Sequence, residues 1–276
     1  MTEKKKGRKA AGGRNVSPAR KLASTRSSAP DATGLSAVIE RVRARTAEKR
    51  STLAIFDLDG TLFDNRTRTI FILREISEKF SDKTPGLTVA FERFQDLSII
   101  EYSLATTLAR MGVSHPAEVD FIKSEWTKRF FSDEYQLYDM PISGAKGYVE
   151  KVHAAGATVI YLTGRDVGRM LVGTTEVLRL YGFPVGVAGT MTIVKKEFEQ
   201  DDEIFKHEVS DYIDRLGEVV AVFENEPANA NILQRRFPSA ASFLVLTQHK
   251  PDAPPLDPGI ERIRDFRIPA SPRAAK

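Results

Sequence analysis

Apolar residues in this chain come in short dense runs with two alternating spacings. Leu35, Val38, Ile39 and Val42 follow the i, i+3, i+4, i+7 pattern of one buried helical face, which predicts a helix over 35–50. Residues 52–56 form an almost unbroken apolar run of strand length. From 66 to 138 the spacing is helical throughout. It predicts helices over 70–80, 89–111 and 117–131, broken at Pro85-Gly86 and between Gly112 and Pro116. Val119, Ile122, Trp126 and Phe130 share one face of the last helix, where core packing is the first reading and a substrate platform the second.

Beyond Asp139-Met140-Pro141 the rhythm changes to alternating helices and strands. Helices are predicted over 144–155, 167–181, 204–216 and 228–237, the second closed by Gly182 in a left-handed cap. Strands are predicted at 158–162, 219–223 and 242–246, with a weaker one near 185–188 and an edge strand at 266–268. The proline-rich stretch 251–258 reads as a surface loop. Such alternation predicts an α/β fold with a doubly wound, Rossmann-like parallel sheet. Its core is expected over 34–65 and 139–270, and the all-helical block 66–138 reads as a cap inserted after the first strand.

Composition narrows this picture. The 276 residues include no cysteine, which excludes disulfides, thiolate metal sites and a cysteine nucleophile. With no apolar run of membrane-spanning length and no apolar leader, the expected location is the cytoplasm, with no membrane partner. Residues 1–50 hold 14 Lys/Arg against 4 Asp/Glu, although the whole chain has a net charge of only +4. The rest of the chain is therefore mildly acidic, and the basic character belongs to the N-terminus. Residues 1–33 read as a disordered basic tail and 271–276 as a short C-terminal one. A solvated tail is the favoured reading for 1–33. Contact with nucleic acid or another polyanion is the alternative.

Chemistry gathers where predicted strands end. Asp57 and Asp59 stand two apart at the end of the 52–56 run, directly before Gly60-Thr61. In open α/β sheets ligands bind at that edge. Two converging carboxylates repel unless a cation or shared proton relieves them. A divalent ion and an electrophilic phosphorus would use both, one acid attacking and the other moving a proton. Thr163 and Gly164 end the 158–162 run ahead of a helix, which offers a hydroxyl and free N–H groups for a phosphate-sized anion. Arg165 beside them either contacts phosphate or substrate, or pairs with Asp166 on the surface. Glu224 and Asn225 end the 219–223 run with hard oxygen donors suited to magnesium. Glu226 and Asn229 are candidates to support them, and Asn229 alternatively steadies the next helix start.

The run Asp57-Leu58-Asp59-Gly60-Thr61-Leu62 resembles the first motif of the haloacid dehalogenase superfamily, mostly magnesium-dependent phosphohydrolases. Thr163-Gly164-Arg165 is similar to the second motif, and the resemblance covers roughly residues 50–248. It implies that Asp57 attacks phosphorus to form an aspartyl-phosphate, and that Asp59 protonates the leaving oxygen and then activates water. It implies that Thr163 and a lysine hold the phosphoryl oxygens. Lys195, Lys196 and Lys206 are available for that lysine, and the family's motif order points to Lys206. It further implies Mg2+ held by Asp57, the Asp59 backbone carbonyl, and Glu224 or Asn225. The family usually carries paired aspartates at this last place, so Glu-Asn is a departure.

The acid at Asp59 favours phosphate esters over halides, because dehalogenases lack it. The expected activity is hydrolysis of a small phosphomonoester. A phosphomutase sharing every motif is the alternative, with a weakly catalytic protein working through its basic tail as a third reading. Arg66, Arg68, Glu101 and Tyr102 are candidates to line the cap, with helix packing or solvent exposure as the alternative for each.

Overall fold

The computed structural model describes residues 32–268, and side-chain burial from residue 34. The tail residues 1–31 and the C-terminal tail lie outside the described residues. A helix α1 (Ala32–Ala47) starts two residues inside the stretch expected to be tail.

Among the described residues six strands form one sheet: β1 (Thr52–Phe56), β4 (Thr158–Asp166), β5 (Thr190–Lys195), β6 (Glu218–Glu224), β7 (Ala241–Val245) and β8 (Glu261–Ile263). Their order is β5-β4-β1-β6-β7-β8, with every pairing parallel and β1 in the middle. Successive side chains of β1 alternate between the faces, as a strand requires. Ala54 and Phe56 join a core with α1, α6 (Ala145–Ala154) and α7 (Val167–Leu180), while Leu53 and Ile55 join one with α8 (Asp202–Asp214) and α9 (Pro227–Arg236). Phe56, Phe223 and Phe243 are register partners on β1, β6 and β7. Their rings stack at 4.7 and 4.8 Å between centroids. That stack fixes the height at which β1 and β6 end, and so the level of Asp57 and Glu224.

The helical segment between β1 and β4 packs around its own apolar cluster, centred on Ile72, Leu73, Leu87, Leu108 and Ile122. It comprises α2 (Arg66–Lys79), α3 (Pro85–Glu92), α4 (Leu104–Arg110) and α5 (Pro116–Phe130). Short strands β2 (Phe63–Asp64) and β3 (Met140–Pro141) flank it and pair antiparallel, so the segment leaves and re-enters the core at one point. Among the described residues no helix is long and apolar enough to cross a membrane.

Four local expectations differ from what is seen. The single helix expected over 89–111 is two helices, because Asp96 accepts from the Ser98 N–H and Ser103 from the Thr106 N–H. These side chains offer the backbone partners outside a continuous helix. The break expected at Pro85-Gly86 lies directly ahead of it, between Lys79 and Pro85, and Pro85 begins α3 at its first turn, where it lacks no needed N–H. The strand expected near 185–188 lies at Thr190–Lys195, since Gly186 and Gly189 take positive φ (67° and 76°) that breaks the earlier stretch. The edge strand is β8, not 266–268; Phe266 instead packs its ring against Tyr148 and Phe223.

Candidate active site

The end of β1 turns sharply into the segment that carries the acids. Leu58 O accepts from the N–H groups of Thr61, Leu62 and Phe63, and Gly60 has φ +77°. A Cβ at Gly60 would stand 2.3 Å from Asn225 Nδ2, so the turn also needs glycine for space. This close approach sets the first strand end against the end of β6.

Lys206, one turn into α8, reaches across to both. Its Nζ donates to Asp57 Oδ1 at 2.8 Å and to Glu224 Oε2 at 2.5 Å, and all three side chains are buried. Glu224 Oε1 is held by the N–H groups of Asn225 and Glu226. Asn225 receives Thr61 Oγ1 at 3.3 Å on its oxygen and donates to Gln248 O. Burial and the neighbouring Glu224 push the Asp57 carboxyl up to about 8, against the pull of Lys206. Burial opposes the charge on Lys206, but Asp57 and Glu224 outweigh it and raise its pKa.

Asp59 faces a different set. Its Oδ1 accepts from Arg68 Nη2 and Arg165 Nη2, each at 2.8 Å, and from Asn65 Nδ2; its Oδ2 accepts from Arg165 Nε at 2.8 Å. Asp139, completely buried, accepts from Arg68 Nε at 2.8 Å and from Arg165 Nη2, shared with Asp59, at 2.9 Å. Arg165 Nη1 donates to Gln136 and to Thr174. Burial works against ionisation of Asp59, but Arg165 and Arg68 outweigh it and hold the carboxyl well below the usual carboxylate range. The two carboxylates of the first motif thus sit in opposite electrostatic surroundings, one hard to ionise and one hard to protonate.

The second strand end is less like a helix N-terminus than its sequence predicts. β4 continues through Thr163, Gly164 and Arg165 to Asp166, and α7 begins at Val167. Thr163 is buried, with Oγ1 3.5 Å from Asp59 Oδ2 and accepting from the Arg165 N–H. Gly164 lines the cavity, and a Cβ there would meet the Asp202 carboxylate at 2.4 Å. Asp166 does not pair with Arg165; it caps α7 through the Arg169 N–H and pairs with the Arg169 side chain. Lys195 is buried away from this group and donates to Phe198 O and Gln200 O.

Asp57, Asp59, Gly164, Arg165, Lys206, Glu224 and Asn225 line one cavity of about 700 Å³ between the sheet edge and the helical segment; Thr163, fully buried, is not part of that lining. Arg66, Glu101 and Tyr102 line it too, Arg66 paired with Asp64. Arg68 is neither solvent-exposed nor merely packed: it is fully buried against Asp59 and Asp139, with the Phe130 ring 4.1 Å from its guanidinium. Its signal lay in the sequence, since Arg68 is spaced four residues ahead of Ile72 and eight ahead of Ile76 on one apolar face, where a charge needs a partner. Asp139 and Gln136 gave no comparable signal.

Among the described residues no three His, Cys, Asp or Glu side chains form a metal cluster. Two carboxylates, Asp57 and Glu224, do converge on one ammonium with a buried excess of negative charge, and the Asn225 amide is adjacent. This donor set fits magnesium, which takes one or two carboxylates and keeps several waters.

No family model matches the chain, and neither does any curated protein. Among solved structures it is similar to a candidate phosphatase from Clostridium difficile (TM-score 0.48, 14% identity, covering 74% of this chain and 89% of that one). It is similar to a candidate haloacid dehalogenase-like hydrolase from Burkholderia xenovorans LB400 (TM-score 0.47, 14% identity, 79% and 94%). A class C acid phosphatase from Bacillus anthracis with tungstate bound gives TM-score 0.39 and 12% identity, over 71% of this chain and 62% of that one.

Proposed function

We propose that the chain is a haloacid dehalogenase-type phosphohydrolase that cleaves small phosphate monoesters. The observation that carries this is the Lys206 ammonium joining Asp57 and Glu224 from two strand ends at the floor of the cavity. Lys206 holds Asp57 Oδ1, leaving Oδ2 as the attacking oxygen. That oxygen bonds to phosphorus, the ester P–O bond breaks, and the departing oxygen takes a proton from Asp59. Water then attacks the phosphorus of the aspartyl-phosphate, Asp59 accepts its proton, and inorganic phosphate leaves. The second step uses Asp59 in the ionised form that Arg68 and Arg165 favour. The first step requires Asp59 to be protonated, and the proton comes from Asp57: its carboxyl, held up to about 8, must lose one to attack, and Asp59 takes it up as the ester enters. Thr163 Oγ1 and the Gly164 backbone hold phosphoryl oxygens, and Lys206 balances their charge.

Asp57, Glu224, the Asp59 carbonyl and Asn225 are the residues that would hold Mg2+. The ion would supply charge neutralisation and alignment of the phosphoryl group. Arg165 serves as a positioning residue: its side chain is 1% exposed and its N–H groups are spent on Asp59, Asp139, Gln136 and Thr174.

A phosphate-release assay over sugar phosphates, nucleotides and phosphoamino acids tests the reading. Turnover with Mg2+, its loss in chelator and its loss in Asp57→Asn are expected. Undiminished turnover in Asp57→Asn would overturn it. A product phosphorylated at a new position, with little free phosphate, would assign a mutase instead.

A further inference from the structure

On the reading that this site hydrolyses phosphate esters, we infer that the leaving group is neutral and carries a flat ring of aryl or nucleobase kind. The cap contributes an apolar, aromatic wall to the cavity: Ile100, Leu104, Trp126, Phe130 and Phe131. Trp126 and Phe130 stack at 4.2 Å, and Phe131 meets both rings edge-on at 6.1 and 5.0 Å. Phe131 is in turn braced by Phe198 of the core at 4.9 Å. A pre-built aromatic surface of this sort favours a planar ligand, which loses little freedom on stacking. At about 700 Å³ the cavity has room for one.

Charge selects against a second anionic group. Among the described residues every cation lining the cavity already faces a carboxylate: Lys206 with Asp57 and Glu224, Arg165 with Asp59 and Asp139, Arg66 with Asp64. Glu101, Asp202 and Glu226 add further carboxylates to the lining, Glu101 paired with Arg110 and Asp202 with Lys195. A bisphosphate or a phosphorylated carboxylic acid would meet like charge and no uncommitted lysine or arginine among these residues.

The test is calorimetric binding to Asp57→Asn in Mg2+, using adenosine 5′-monophosphate, 4-nitrophenyl phosphate, glycerol 1-phosphate and fructose 1,6-bisphosphate. The two ring-bearing esters are expected to bind about tenfold tighter than glycerol 1-phosphate, the scale of one stacked ring, with the bisphosphate weakest. Tighter binding of the nucleotide would assign a nucleobase, and tighter binding of the nitrophenyl ester a simple aryl group. Trp126→Ala should collapse the preference and Trp126→Phe should keep most of it. Equal or tighter binding of glycerol 1-phosphate or the bisphosphate would overturn the inference, as would an undiminished preference in Trp126→Ala. Wild-type turnover of the same four compounds separates the two levels. A ring preference in binding with no turnover contradicts the hydrolase reading alone; turnover with no ring preference contradicts the inference alone.

Discussion

Lys206 bridges two buried carboxylates that lie 149 and 18 residues away in sequence. Replacing it by Met leaves Asp57 and Glu224 facing each other without a cation. Removing one partner of a buried ion pair costs about 3–5 kcal/mol, so Lys206→Met should lower the denaturation midpoint clearly. Its phosphatase rate should fall by about 10²–10³, as when one preorganised oxyanion partner is lost. Gly60 makes a sharper case, because both φ and space forbid a side chain there. Gly60→Ala should displace Asn225 and reduce stability and turnover together, read by thermal melts and steady-state kinetics. Asp57, Asp59, Thr163, Glu224 and Asn225 were legible because each follows an apolar strand, and strand ends in a parallel sheet meet at one edge. Lys206 was legible only through motif order. The Arg68–Asp139 pair spans 71 residues and joins a helix to a connection, so no local pattern announces it.

At the scale of elements, the helical segment is tied down where β2 meets β3 and where Arg68 and Arg165 share Asp139. Asp139→Ala should loosen that joint without touching the sheet core. Hydrogen exchange in α2 and in the 134–138 turn is expected to speed up while β1 and β6 stay protected; uniform loosening of both would contradict the account. Helices with one apolar face and strands with continuous apolar runs were readable from spacing alone. Where spacing failed, at 89–111 and 185–188, short side-chain caps or positive-φ glycines decided the backbone, and periodicity does not register either.

As a whole molecule the described residues hold separate apolar clusters: two flanking the sheet, a small one of Ala230, Leu244 and Ile260, and one inside the helical segment between β2 and β3. Because that segment leaves and returns through paired strands, replacing residues 66–138 by a short Gly/Ser linker should leave a core that still unfolds cooperatively. Loss of any folded state would show that the segment is integral to the core. The central claim concerns the whole assembly of strand ends, since Asp57 can carry a phosphoryl group only if Lys206, Thr163 and Glu224 hold their places around it. The most direct test is acid quenching of the enzyme during turnover, followed by peptide mass analysis. One added phosphoryl group on the peptide containing Asp57, abolished in Asp57→Asn, is the predicted result. Sustained turnover with no phosphorylated Asp57, or with the group on another residue, would contradict it.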